Sequence, residues 1–244
     1  SKSEESDMTL FKRTLTNLLY LGALMCAVSA AQAAYPLAIE HGQGKLTLNE
    51  APKRVAVFDL GVLDTLDALG IAAAGVPQMA GPAYLKAQYA GRESVNIGTL
   101  FEPDLEALAG VNPDLVIVGG RTAAQYDAVS ALAPTVDMTI WEDTIGEARS
   151  RIKTYGDLFD KQDKAAELTA DFDAKLEAAK AAVAGKGNAL IVLTNGPKVS
   201  AYGKGSRFGW IHSALGLPEA YEKLTPETHG DSVSFEFINE VNPD

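Results

Sequence analysis

Residues 163–184 read DKAAELTADFDAKLEAAKAAVA, a stretch without proline or glycine that is followed at once by Gly185. Apolar Leu168, Phe172, Leu176, Ala179 and Val183 recur at intervals of three or four, so one face of a helix is apolar and the other charged. Gly185 stands where helices most often end. At a rise of 1.5 Å per residue the stretch extends about 33 Å, enough to cross from one lobe to another. Residues 163–185 are therefore expected to form a rigid bridging helix between two separate lobes.

On the N-terminal side, residues 54–58 are apolar and β-prone, 60–69 are helix-like, and 71–76 are apolar again after Gly70. This is the β-α-β rhythm of a parallel sheet. It returns with a helix over 104–109, a buried strand over 114–118, a helix over 122–132 that Thr122 can cap, and a strand over 135–140. Residues 34–162 are expected to form one α/β lobe. Beyond the bridge, 189–194 and 199–202 read as strands and 209–215 as a helix, which predicts a second α/β lobe over 186–244. A repeat supports two lobes: EALAGVNPD at 106–114 and EFINEVNPD at 236–244 each place a Glu at the start of a short helix ending in VNPD. The first copy runs into the strand LVIVGG and the second ends the sequence, so the second lobe is expected to be incomplete at its C-terminus.

The first 33 residues read as a leader. Lys12 and Arg13 precede the apolar run 18–28, and the small residues Ala31 and Ala33 follow, the plan of a secretory signal peptide with cleavage expected after Ala33. An apolar run of about 11 residues is too short to span a bilayer. Met8 is read as the start and SKSEESD as an upstream extension. The single cysteine, Cys26, lies inside the apolar run, and Ala23, Leu24 and Met25 before it fit a lipoprotein signal poorly, so the mature chain is expected to lack thiols, disulfides and lipid. A periplasmic location follows.

The 32 acidic residues outnumber the 21 basic ones, for a net charge of −11. Such a balance argues against nucleic acid as a partner, and any anion site must be built locally against the mean field. No GxSxG, P-loop or Rossmann fingerprint is present, and His41, His212 and His229 are too far apart for an HxH or HExxH zinc motif. No enzyme is indicated, although a two-lobe α/β enzyme would fit the sheet plan alone; a binder of bare zinc or manganese would need three or four converging His, Asp and Glu ligands, whereas the cleft candidates are mostly Arg and Tyr.

Two arginines occupy comparable places. Arg121 follows the strand DLVIVGG and Arg207 follows the loop YGKGS, each just before a helix. Turns at the carboxyl ends of strands face the ligand crevice in open α/β sheets, and the new helix offers free N–H groups to an anion. Gly119, Gly120, Gly203 and Gly205 let backbone approach closely. Tyr202 and Trp210, with Tyr84, Tyr89 and Trp141, are the aromatics nearest these loops. His229 lies in the polar loop TPETHGDS, where imidazole can serve as a metal ligand.

Across residues 51–244, the segments PKRVAVFDLGVLDTLDALGI, EPDLEALAGVNPDLVIVGG, the turn at 133–135, the long connector, SRFGWIHSALGL and HGDSVSFEFINEVNPD together resemble the helical-backbone class of ABC-importer binding proteins, which carry ferric siderophores, haem or cobalamin. SRFG followed by THG is similar to the subgroup that takes ferric catecholate siderophores. The resemblance implies two α/β lobes around one helix, with the ligand between them and little hinge motion. It further implies that Arg121 and Arg207 contact anionic oxygens, that Tyr202 and Trp210 line the pocket, and that His229 approaches the iron. Glu106 and Glu236 would dock the lobes onto a permease. A monomer with no cofactor of its own is expected, its cargo being ferric iron as a siderophore complex. Haem or cobalamin capture is the alternative.

Overall fold

Successive residues of a strand face opposite sides of a sheet, so the partners of alternate side chains show whether both faces are covered. The computed structural model describes residues 34–79 and 81–244, which belong to one compact body. In strands β3 (Val55–Val57) and β6 (Leu115–Val118), Val55, Val57, Leu115 and Ile117 enter one buried cluster. Ala56, Phe58, Val116 and Val118 enter another. A sheet covered on both faces needs continuous apolar runs, and VAVF and LVIV are such runs.

The first layer holds helix α1 (Leu60–Ala68) and helix α2 (Ala83–Tyr89), which contribute Leu63, Leu66 and Leu85 to the first cluster. The opposite layer holds α3 (Leu105–Val111) and α4 (Tyr126–Ser130), with Leu108, Val111 and Val129 in the second. Three short strands, β4 (Gly75–Val76), β5 (Val95–Asn96) and β7 (Thr135–Asp137), complete the sheet. Its order is β5-β4-β3-β6-β7, every pairing parallel. The chain moves outward from β3 to β5 and then returns to β6 on the other side of β3. The order therefore reverses between β3 and β6, which places a crevice at their carboxyl ends.

A hairpin of β1 (Leu37–His41) and β2 (Gly44–Leu48) leads into the sheet. Its turn is pinned to β7: Gly42 N donates to the Asp137 carbonyl at 2.9 Å, Gln43 Nε2 to Asp137 Oδ2 at 3.1 Å, and Asp137 N to His41 Nδ1 at 3.3 Å.

From β7 the chain passes through α5 (Thr144–Leu158) and α6 (Gln162–Val183). The second is the helix expected over 163–185. Ala165 is buried, the stripe Leu168, Phe172, Leu176, Ala179 and Val183 is half-buried, and Gly185 takes φ +70° just beyond the end. The first half of α6, where Phe172 and Asp173 meet Arg149, packs against α5, which the sequence reading did not foresee, so the connector is a pair of helices. They approach where Gly156 meets Ala165; a Cβ on Gly156 would lie 2.6 Å from the Ala165 methyl.

Beyond α6, β8 (Ile191–Asn195), β9 (Lys198–Tyr202) and β10 (Asp231–Val233) form an antiparallel sheet in the order β10-β9-β8, with α7 (Trp210–Ser213) and α8 (Phe235–Val241). Two-residue turns join antiparallel strands, and Gly196 with Pro197 makes one between β8 and β9, so the described sheet here is antiparallel rather than parallel. The repeat seen in sequence is structural. Asp104 and Ser234 cap α3 and α8 by accepting from Ala107 N and Phe237 N, and Asn112 and Asn242 end them at φ 51° and 49°. The aspartates of the two VNPD motifs then hold the start of each sheet. Asp114 accepts from Lys53 N and Arg54 N, and Asp244 from Asn188 N.

Several expected elements are shorter. Only residues 75–76 of the run 71–76, and 135–137 of the run 135–140, pair as strand. The helix expected over 122–132 is a 3-10 turn (Gly120–Gln125) followed by α4, and Thr122 does not cap it. Its side chain is buried and donates to the Phe58 and Leu100 carbonyls, at 3.2 and 3.1 Å. The leader, Cys26 included, lies outside the described residues.

Candidate functional site

A cleft of about 1390 Å³ opens at the point where the strand order reverses. Its floor is the residues that follow the parallel strands: Phe58 to Leu60 after β3, Leu100 after β5, Gly119 to Arg121 after β6, and Ile140 to Thr144 after β7. The opposite wall is Lys204 to Arg207 after β9, Trp210 and Ser213 of α7, and Pro226 to His229 before β10. Material from both sheets thus faces one space.

On the floor, Asp59 caps α1 by accepting from Val62 N at 2.9 Å, and its other oxygen lies against Gly119 and Gly120. A Cβ on Gly119 would stand 3.3 Å from Asp59 Oδ2, and Gly120 adopts φ +56°, so both glycines are set by the closeness of that carboxylate and the turn. Gly120 N donates to Thr139 Oγ1 at 2.9 Å. Arg121 follows, exposed, its guanidinium 5.0 Å above the Phe101 ring.

On the wall, the turn from Gly203 to Ser206 is closed by Ser206 N and Oγ donating to the Gly203 carbonyl. The Arg207 guanidinium rests 4.7 Å from the Phe208 ring centre, and the Arg207 carbonyl accepts from Thr144 Oγ1 at 3.3 Å, which links the wall to the start of α5. Gly209 has no room for a side chain, since a Cβ would collide with the Lys204 carbonyl.

Of the residues singled out in sequence, Arg121, Arg207, Trp210 and His229 all line this cleft, and Trp141 joins them. Tyr202 does not. It is 2% exposed and meets Phe208 edge to face at 4.8 Å, beneath Arg207, so it supports the arginine loop instead of forming the pocket surface. Tyr84 and Tyr89 are also absent from the lining. His212 is buried with Nδ1 donating to the Leu217 carbonyl at 2.9 Å, and His41 is used by the hairpin. Glu106 and Glu236 are exposed, lie outside the cleft, and occupy the same first-turn position of the capped helices α3 and α8.

The sequence reading missed the acidic half of the lining. It expected a locally positive cleft, yet Asp59, Glu142, Asp143 and Glu227 stand beside Arg121, Lys204 and Arg207. Asp59 and Asp143 are engaged as helix caps, Asp143 by accepting from Gly146 N. The rule that picked out Arg121, position just after a strand, would have found Asp59 as well. Among the described residues no three His, Cys, Asp or Glu side chains converge as metal ligands.

Comparison with known proteins agrees with this geometry. The chain is 38% identical over 197 residues to the petrobactin-binding protein YclQ of Bacillus subtilis, covering 79% of this chain and 62% of that one. It is 33% identical over 215 residues to the ferric-anguibactin-binding protein FatB of Vibrio anguillarum, covering 86% and 67%. The crystal structure of the periplasmic catecholate-siderophore binding protein VctP from Vibrio cholerae superposes with a TM-score of 0.79 at 32% identity, over 85% of this chain and 75% of that one. The chain thus spans less than two thirds of the length of YclQ. The profile of the family described as periplasmic binding protein matches residues 55–244, from the first strand of the parallel sheet to the turn that closes α8, and the chain belongs to that family.

Proposed function

We propose that this protein captures a ferric siderophore of the catecholate type outside the cytoplasm and delivers it to the permease of an ABC importer, without catalysing a reaction. The observation that carries the reading is the pair of arginines. Arg121 from the floor and Arg207 from the wall face one cleft, and neither forms an ion pair among the described residues. Two unpaired guanidinium forks suit an oxygen-rich anion held between two walls. Trp141 and Trp210 offer surfaces for planar rings, and His229 at the rim offers a nitrogen donor to ferric iron where the chelator leaves positions open. The names of the relatives, for petrobactin, ferric anguibactin and a catecholate siderophore, support the same ligand class.

In this reading residues 34–162 and 186–244 are the two lobes, 163–185 is the bridge, and Glu106 and Glu236 present equivalent carboxylates to the permease. The leader would carry the chain across the inner membrane and be removed, leaving a periplasmic monomer. The test is retention of ligand by the purified protein on ultrafiltration. Ferric catecholates, ferric hydroxamates, haem and cobalamin are offered separately and followed by their visible absorbance. Selective retention of the ferric catecholates is expected; retention of haem or cobalamin instead would replace the reading.

A further inference from the structure

The two arginines of the cleft stand on unlike supports. Arg207 is held within its own loop, by the turn that Ser206 closes and by the Phe208 ring. The backbone on either side of Arg121 is tied instead to the hydroxyls of Thr122 and Thr139, which are buried and do not line the cleft. Before the arginine, Gly120 N donates to Thr139 Oγ1 at 2.9 Å. After it, Thr122 Oγ1 donates to the Phe58 and Leu100 carbonyls at 3.2 and 3.1 Å. An exposed guanidinium is thus carried by a turn pinned at both ends from beneath.

The first of those pins is itself oriented by a buried carboxylate. Asp137, 0% exposed at the end of β7, accepts through Oδ1 from Thr139 N at 3.0 Å and from Thr139 Oγ1 at 2.5 Å. An ionised carboxylate only accepts, so the hydroxyl gives its single proton to Asp137 and turns its lone pairs to Gly120 N. The backbone of Thr139 is fixed from the other side by Arg151 of α5, whose Nε and Nη2 donate to the Met138 and Thr139 carbonyls at 3.3 and 2.9 Å. Burying a carboxylate opposes folding, and its hydrogen bonds only offset that cost. An apolar residue at 137 could serve stability as well, but it could not orient the hydroxyl.

We propose that Thr139, oriented by Asp137, is a positioning residue for ligand capture: it holds the Gly120–Arg121 turn so that the guanidinium already faces the cleft before the ligand arrives. This rests on the ferric-chelate reading and adds the buried side chain that makes one of its two arginines effective. Without the Thr139 acceptor the turn, which needs φ +56° at Gly120, loses that anchor. Ordering Arg121 would then oppose binding, as ordering of any loose contact group does.

The test is a double-mutant cycle read as dissociation constants for a synthetic ferric bis-catecholate, from quenching of intrinsic fluorescence. Thr139→Val keeps the shape of the side chain and removes the acceptor; it should weaken binding about three- to tenfold, the net worth of one hydrogen bond. Thr139→Ser, which keeps the hydroxyl, should restore most of that loss. In an Arg121→Ala background Thr139→Val should have almost no further effect, whereas in an Arg207→Ala background it should keep its full effect. A purely structural role would weaken binding equally in both backgrounds. Equal effects in the two backgrounds, or unchanged affinity in Thr139→Val alone, overturn the proposal and leave the ferric-chelate reading standing. Should Thr139→Val not fold, Thr139→Ala takes its place in the same cycle with the same two outcomes. Failure of the unaltered protein to bind the chelate overturns both.

Discussion

His229 and His41 show how the same side chain takes different work from its surroundings. His229 is exposed at the cleft rim, where a tetradentate catecholate would leave two iron positions open and a hexadentate one none. His229→Ala should weaken the tetradentate complex about tenfold more than the hexadentate one, as expected when a single ligand bond is lost from one complex only. Equal effects on both would show that the imidazole does not bind iron. His41 is half-buried, its Nδ1 accepting from Asp137 N and Gln43 N, and its ring packs against Tyr126. Burial lowers its pKa below the usual 6.5; Asp137 and Glu40 oppose that shift and Arg151 adds to it. With the folded-state value lowered, the unfolded chain takes up the proton first. The stabilisation is therefore complete above about pH 6.5 and declines as the pH falls below it. Between pH 7.5 and 5.5 the melting temperature should drop more in the unaltered protein than in His41→Gln. Identical drops would remove His41 from the account. At this scale the sequence showed the arginines, Trp210 and His229 because each follows or precedes a strand at its cleft end. Tyr202 was misplaced because a strand's last residue can face either the cleft or the layer beneath it. Glu142 was hidden because the strand before it stops at Asp137, three residues earlier than the apolar run suggested.

Among the elements, the long helix was the most legible, since its half-buried stripe is the one its spacing foretold. What spacing could not tell was the partner of the helix's first half. The 15 residues of α5 carry charges throughout, Arg149, Arg151 and Lys153 among them, the helix's Tyr155 and Leu158 are buried in the first cluster, and the close contact with α6 is made by a glycine. Gly156→Leu should force the helices apart and cost about 1–3 kcal/mol, the usual range for overpacking. Urea unfolding would measure it, and an unchanged midpoint would mean that the two helices are not tightly joined there. Thr122 teaches the converse lesson. Before a helical stretch it has the chemistry of a cap, but the hydroxyl is drawn to two carbonyls from the segments that follow β3 and β5, and tertiary contacts of that kind leave no trace in local sequence. The parallel sheet was legible through its continuous apolar runs, whereas the antiparallel pairing of β8 with β9 depended on a two-residue turn that the strand reading passed over.

For the molecule as a whole, the repeat of a capped helix with a first-turn glutamate on each side gives the proposed transport its simplest signature. Glu106→Ala combined with Glu236→Ala should leave ligand affinity within about twofold, because surface changes away from the site have small effects, and should abolish uptake by cells that depend on this protein for iron. A large loss of ligand affinity in that variant would reject a docking role. The central claim, that one anionic chelate is held between the two walls by Arg121 and Arg207, has a direct optical test. The chain has two tryptophans, Trp141 and Trp210, and both line the cleft. Titration of intrinsic fluorescence with a ferric catecholate should show saturable quenching in the unaltered protein. Arg121→Ala and Arg207→Ala should each weaken it about tenfold to a hundredfold, the equivalent of a charge-assisted hydrogen bond worth about 1.5–3 kcal/mol. Saturable quenching with unchanged affinity in both arginine variants would contradict the account.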